Sequence, residues 1–161
     1  MTEIMISEYE LELRRVFLDE TSQSLQDCEQ CFLALESSPE NPELIENIFR
    51  LAHNIKGNAN AVGFIHLGAF THVLESYLLK IRTGEIKIDA NSVNLLLRCN
   101  DQIIAIVTAL RTDHSSQFDT SELQEELRSY LSGTPILPPV QVTPESLDLS
   151  FNTVLDPMQE V

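Results

Sequence analysis

Basic residues are scarce in this chain. Ten lysines and arginines stand against 25 aspartates and glutamates, a net charge of −15 at pH 7. Nucleic-acid and anionic-membrane partners both need a basic face, so neither is expected, and the acidity serves solubility. Long hydrophobic runs are missing too. The longest, about Ile103 to Leu110, is far short of the roughly 20 residues that a spanning helix requires, and no secretory leader is legible. The expectation is a cytoplasmic location without membrane insertion. Three cysteines, Cys28, Cys31 and Cys99, make no disulfide framework. Cys28-x-x-Cys31 has a redox spacing, but it lies in a helical pattern, with Cys28 on the apolar stripe and no second pair for zinc. That context favours buried structural thiols. The five glycines supply neither Gly-x-x-x-x-Gly-Lys-Ser/Thr nor a glycine-rich lid. The chain is therefore not expected to bind or hydrolyse ATP by itself, and no metal or cofactor is expected within it.

What is present reads as helices. No stretch sustains period-two alternation. Ser7 and Glu10 form a capping box, after which Leu11, Leu18, Leu25, Cys28, Phe32 and Leu35 recur at helical steps to about Glu36. Asn41 caps a second helix and Pro42 takes its first position. Its stripe is Ile45, Ile48, Phe49, Ala52, Ile55, Ala59 and Val62, and Gly63 ends it. A third helix buries Leu67, Phe70, Leu74, Tyr77, Leu78 and Ile81 and stops at Gly84. Asp89 opens a fourth, with Val93, Leu96, Leu97, Ile103, Ile104, Val107 and Leu110 inward. Asp119 and Glu122 box a shorter fifth helix carrying Leu123, Leu127 and Leu131. Short connections make neighbours antiparallel. The predicted fold is all-α: an up-and-down antiparallel four-helix bundle with a fifth accessory helix outside or at its end. Residues 1–132 form this domain. Residues 133–161, with four acids and no base, are interrupted by Pro135, Pro138, Pro139 and Pro144 and read as an acidic linker or tail, within which Leu147–Met158 keeps some apolar character.

The chemistry concentrates in Ala52-His53-Asn54-Ile55-Lys56-Gly57. Positions three and four apart share a helix face, so one face offers an imidazole, a cation and a bare patch where another molecule can approach. His53 stands eleven residues before Phe64 and Glu75 eleven after it. In an antiparallel hairpin that places Glu75 level with His53, and His72 level with Lys56. His53 falls at the edge of the apolar stripe, partly exposed, and Glu75 occupies an equivalent edge position. A carboxylate on one ring nitrogen fixes the tautomer and stabilises a developing imidazolium, which frees the other nitrogen to attack. Gly57 costs its own helix about 1 kcal/mol against alanine, which suggests a need for access beside the nucleophile, although a helix–helix contact would also explain it.

These residues resemble the histidine phosphotransfer (HPt) motif. The longer match, through Gly63-Phe64, Thr71-His72-x-x-Glu75 and Arg82-x-Gly84-Glu85, resembles the N-terminal phosphotransfer domain of CheA-type chemotaxis histidine kinases over about residues 7–132. The resemblance implies a phosphorylatable His53. It implies that Glu75 orients His53, that Lys56 compensates charge, that His72 joins the site network and that Gly57 gives partners access. Glu75 would hold the δ nitrogen while the ε nitrogen takes the phosphoryl group. The partners implied are a histidine kinase ATP-binding domain, which brings ATP and Mg²⁺, and a CheY-like receiver domain with its own Mg²⁺. In this reading the chain is a phospho-accepting part of a larger kinase. Where the family often has Gly-Gly and a further small residue, this chain has Gly57-Asn58 and Asn60. Two readings compete: a helical adaptor whose histidine is incidental, and a carboxylate-bridged metal enzyme built on His72-x-x-Glu75 with His53 and His66. Labelling at His53 separates the first, and a metal assay the second.

Overall fold

The computed structural model describes residues 7–132; the segment 133–161, with its Leu147–Met158 stretch, lies outside the described residues. Six helical segments follow in order: α1 (Glu8–Asp27), α2 (Glu29–Ala34), α3 (Pro42–Ala61), α4 (Ile65–Arg82), α5 (Ala90–Thr112) and α6 (Ser121–Leu131). The starts are chemically explicit. Ser7 Oγ accepts from Glu10 N at 3.1 Å, and the Glu10 carboxylate accepts from Ser7 N at 2.9 Å. Asn41 Oδ1 accepts from Glu43 N at 3.0 Å ahead of Pro42, and Asp89 Oδ1 accepts from Ser92 N at 2.8 Å. Gly63 closes α3 with φ +92°, and Phe64 N returns to Ala59 O at 2.8 Å. Only glycine is comfortable in that turn. A Cβ there would also lie 2.7 Å from the Arg14 guanidinium, which covers the turn and donates to Val62 O at 2.8 Å.

The α3–α4 hairpin packs along its whole length, α1 closes against α5, and α2 leans on α3. One continuous core results, from Phe17, Leu18 and Leu25 through Ile48, Ile55, Leu67, Phe70, Leu74, Leu78, Leu96, Ile103 and Leu110. The accessory helix α6 lies outside, against α4. The Tyr77 and Tyr130 rings meet at 5.5 Å, and Lys80 Nζ donates to Leu131 O at 3.3 Å. A two-pronged ion pair, Arg98 to the nearly buried Glu126 at 3.0 and 2.6 Å, ties α6 to α5. An 18-residue window of α5 has mean hydropathy 1.3, enough by length and composition to cross a membrane, but half of it is buried inside the bundle. Its buried residues, among them Leu96, Ile103 and Leu110, form the core face.

Five expectations need correction. The first helix is interrupted at Cys28, where Cys31 N turns to Cys28 O at 3.0 Å in a tighter three-residue step. Leu11 is exposed, because it lies on the open first turns of α1. In α5 the inward set is Leu95, Cys99 and Ile106 beside the predicted positions, while Ile104 is 41% exposed and Leu97 half-buried. Asp119 does not cap with Glu122. It accepts from Ser121 N and Oγ at 2.9 and 2.6 Å, forming a local turn that runs into Ser121, the first residue of α6. Phe49 is half-buried rather than core, and Leu51 takes the interior position instead. Cys28 and Cys99 are buried, and burial pushes both thiols up to about 12, which suits inert packing residues.

The corrected burial changes an expected stability. Phe70, fully buried, should lose about 3–5 kcal/mol as Phe70→Ala. Phe49→Ala should lose less, about 1–2 kcal/mol, because less apolar surface returns to water. Denaturant melts of the two variants check this, and equal losses would contradict the half-buried assignment.

Candidate functional site

The site lies on the outer face of the α3–α4 hairpin. From α3, Phe49, His53 and Lys56 project at four- and three-residue steps, and from α4, Glu75 and Arg82 share a face two turns apart. The Glu75 carboxylate is the hub. Its Oε2 contacts His53 Nδ1, and its Oε1 accepts from Lys56 Nζ at 2.6 Å. Its side chain is only 12% exposed, against 59% for His53. Burial pushes the Glu75 carboxyl up, but the hydrogen bonds from Lys56 and His53 and the nearby Lys56 charge outweigh it, so it stays below its ordinary value. An ionised carboxylate can only accept. The shared proton therefore sits on Nδ1, and the lone pair of the imidazole is on Nε2. Among the described residues Nε2 takes no hydrogen bond, and it belongs to an exposed side chain.

The lowered carboxyl has a pH consequence. Its stabilisation is complete above the ordinary value of 4.5 and is lost as pH falls through the lowered folded value. A carboxyl-carbon NMR titration of Glu75 should give a midpoint under 4.5. A midpoint at or above that value would show that Lys56 and His53 do not hold the carboxylate in solution.

Gly57 is exposed, and a Cβ built on it meets nothing within 4 Å. No helix contact within the described residues requires a glycine there. Gly57→Ala should therefore stabilise the fold by roughly 0.5–1 kcal/mol, the helix-propensity difference; a destabilised variant would reveal a hidden packing constraint. Asn60, on the His53 side of α3, is committed elsewhere. Its side chain fills the space over Gly68 of α4, where a Cβ would sit 2.0 Å from its Oδ1. His72 is exposed one turn before Glu75, and its imidazole makes no hydrogen bond among the described residues. The structure thus brings His53, Lys56 and Glu75 together and leaves His72 beside them. His66 lies apart against Phe118, and His114 against Phe64. Among the described residues, no three histidine, cysteine, aspartate or glutamate side chains gather as a metal site would need.

A model of the Hpt domain family matches residues 12–113. This chain belongs to the Hpt domain family. The chemotaxis protein CheA of Treponema pallidum is 35% identical over 127 residues, covering 79% of this chain and 16% of that protein. The CheA of Bacillus subtilis is 32% identical over 112 residues, 70% of this chain and 17% of that protein. The Hpt chain thus spans about a sixth of the length of the curated relatives it matches. Among solved structures, the CheA phosphotransferase domain from Thermotoga maritima is 36% identical, with a TM-score of 0.58 over 65% of this chain and 98% of that one. The phosphorylated P1 domain of CheA3 in complex with CheY6 from R. sphaeroides has a TM-score of 0.68 over 76% of this chain and 98% of its own. At 23% identity it shows the shared fold.

Sequence reasoning missed two neighbours in this Hpt site. The Phe49 ring lies stacked with His53, with centroids 6.2 Å apart and planes 12° from parallel. The Arg82 guanidinium sits over Phe49 at 4.3 Å from the ring centroid. The four-residue step from Phe49 to His53 is the available signal, but the apolar stripe assigns Phe49 to the core.

Proposed function

We propose that this Hpt domain is a phosphorelay domain of two-component signalling. His53 accepts a phosphoryl group from ATP held by a histidine kinase ATP-binding domain and passes it to an aspartate of a CheY-like receiver domain. The observation that carries this reading is an exposed imidazole whose Nδ1 is occupied by an ionised, lysine-clamped carboxylate while Nε2 stays open. In the forward step the Nε2 lone pair forms the N–P bond, the bond from γ-phosphorus to its bridging oxygen breaks, and ADP leaves. The ring becomes cationic, and Glu75 stabilises it through the Nδ1 proton. In the second step a receiver carboxylate oxygen attacks the phosphorus, the N–P bond breaks, and the ring leaves as neutral imidazole. Lys56, one turn along α3 from His53 and bonded to Glu75, would offset phosphoryl charge in both steps. Gly57 leaves room beside His53 for a partner, and His72, exposed on the same face, joins the network once a phosphoryl group is present.

ATP and Mg²⁺ belong to the partner domains in this proposal, and the chain is substrate and relay rather than an independent enzyme. It would work in the cytoplasm as the phospho-accepting part of a CheA-like kinase, with residues 133–161 as a linker or tail. The test is sequential. Incubation with a CheA-type ATP-binding domain, Mg²⁺ and γ-labelled ATP should give an acid-labile, base-stable label on this chain. Addition of a receiver domain with Mg²⁺ should then move the label to the receiver as an aspartyl phosphate. A chain that takes no label, or a label that stays when the receiver is added, contradicts the relay.

A further inference from the structure

Glu75 fixes one atom of the His53 ring, and a carboxylate accepts over a broad range of directions. That contact alone leaves the ring a swing about its Cβ–Cγ bond, and Nε2 lies at the far end of the swing. In-line transfer needs the Nε2 lone pair aimed at phosphorus at about 3–3.5 Å. Something must therefore hold the plane of the ring.

We infer that Phe49 and Arg82 are positioning residues for His53: the Phe49 face sets the imidazole plane, and the Arg82 guanidinium holds the Phe49 ring in place. The inference rests on the relay reading above. Phe49 precedes His53 by one helical turn, and the two rings lie within 12° of parallel, an offset arrangement that aromatic pairs favour. Phe49 packs against the core on one side and is only half-buried, so its outer side is open to a second restraint. Arg82 supplies it. Its guanidinium lies 4.3 Å from the Phe49 centroid, and it also donates to Glu46 on α3 at 3.4 Å. Glu46 is held in turn by Arg50 at 3.1 Å. Glu46 and Arg82 lie equally far along the chain from Phe64, one on each side, so the pair spans the hairpin at one height. Arg82 therefore clips α4 to α3 beyond the site, on the face of α4 that carries Glu75. The two helices thus act on His53 twice, once through the Glu75 contact at Nδ1 and once through the Phe49 face that Arg82 backs.

The test uses the full chain with a CheA-type ATP-binding domain. Phe49→Leu keeps apolar bulk and loses the flat face, Phe49→Tyr keeps the face, and Arg82→Gln loses the guanidinium. Phe49→Leu should lower the saturated rate of phosphoryl uptake about tenfold, within the penalty of a sub-ångström misplacement, while KM for the chain is unchanged. Phe49→Tyr should restore most of that rate, and Arg82→Gln should lose about threefold in the same term. Without any kinase, the His53 ring-proton NMR shifts should move in Phe49→Leu and return in Phe49→Tyr. A saturated rate for Phe49→Leu equal to that of the parent chain overturns the positioning role. So does a loss confined to KM, failure of the tyrosine to restore the rate, or unmoved ring-proton shifts. A parent chain labelled at His53 beside an unaffected Phe49→Leu leaves the relay standing and removes only the stack. A parent chain that takes no label at His53 overturns the relay and the positioning role with it.

Discussion

The His53→Gln variant is expected to take up no phosphoryl group from a kinase ATP-binding domain and ATP, a loss of at least about 10³-fold, because it removes the nucleophile itself. The fold should be nearly indifferent. His53 is exposed, and the Lys56–Glu75 ion pair at 2.6 Å does not depend on it, so stability should stay within about 1 kcal/mol. A glutamine also retains an amide that can donate to Glu75. Lost label with an unchanged denaturant midpoint would therefore isolate chemistry from structure. A variant that still takes the same acid-labile label would move the nucleophile to His66, His72 or His114.

Glu75→Gln should slow phosphoryl uptake by about 10²-fold, the scale of a positioned acid–base partner. The substitution keeps size and removes charge. The amide oxygen still accepts from Nδ1, but no anion stabilises the cationic ring that forms as the N–P bond closes. Lys56 also loses its partner at the same oxygen pair. Receiver binding should change little, since the 12% exposed Glu75 side chain lies behind the imidazole. Ring-nitrogen NMR shifts should show the Nδ1–H tautomer of His53 losing its dominance. If the single-turnover rate and the tautomer balance both match the parent chain, Glu75 is a solvated helix-face charge, and another group must orient His53.

The elements that were legible are those where one residue type has a single physical job. Ser7-x-x-Glu10, Asn41-Pro42 and Asp89 mark helix starts because their side chains satisfy free backbone N–H groups. Gly63 and Gly84 mark ends because their φ values, +92° and +83°, suit glycine. Counting outward from Phe64 placed Glu75 against His53, since an antiparallel hairpin fixes relative height. The same count put His72 opposite Lys56, and there side-chain length intervened. The long lysine reaches across the hairpin to Glu75 on α4, and His72 stays in solvent. The break at Cys28 was not legible, because the apolar stripe continues across it and carries no trace of a missing hydrogen bond. Phe49 was misread because the apolar stripe shows which face a residue occupies but not how far a neighbour such as Arg82 covers it. Leu51, Leu95 and Ile106 were missed because these helices are covered on more than one side, so their buried arcs are wider than a single stripe.

In the proposed relay, Nε2 of His53 carries the phosphoryl group while Glu75 occupies Nδ1. The most direct test is correlated proton, nitrogen and phosphorus NMR on the phosphorylated, nitrogen-15-labelled chain. The expected spectrum shows one phosphoryl group, coupled to Nε2 of His53, with the proton retained on Nδ1. Coupling to Nδ1 of His53, to a ring nitrogen of His66, His72 or His114, or to no ring nitrogen would contradict it.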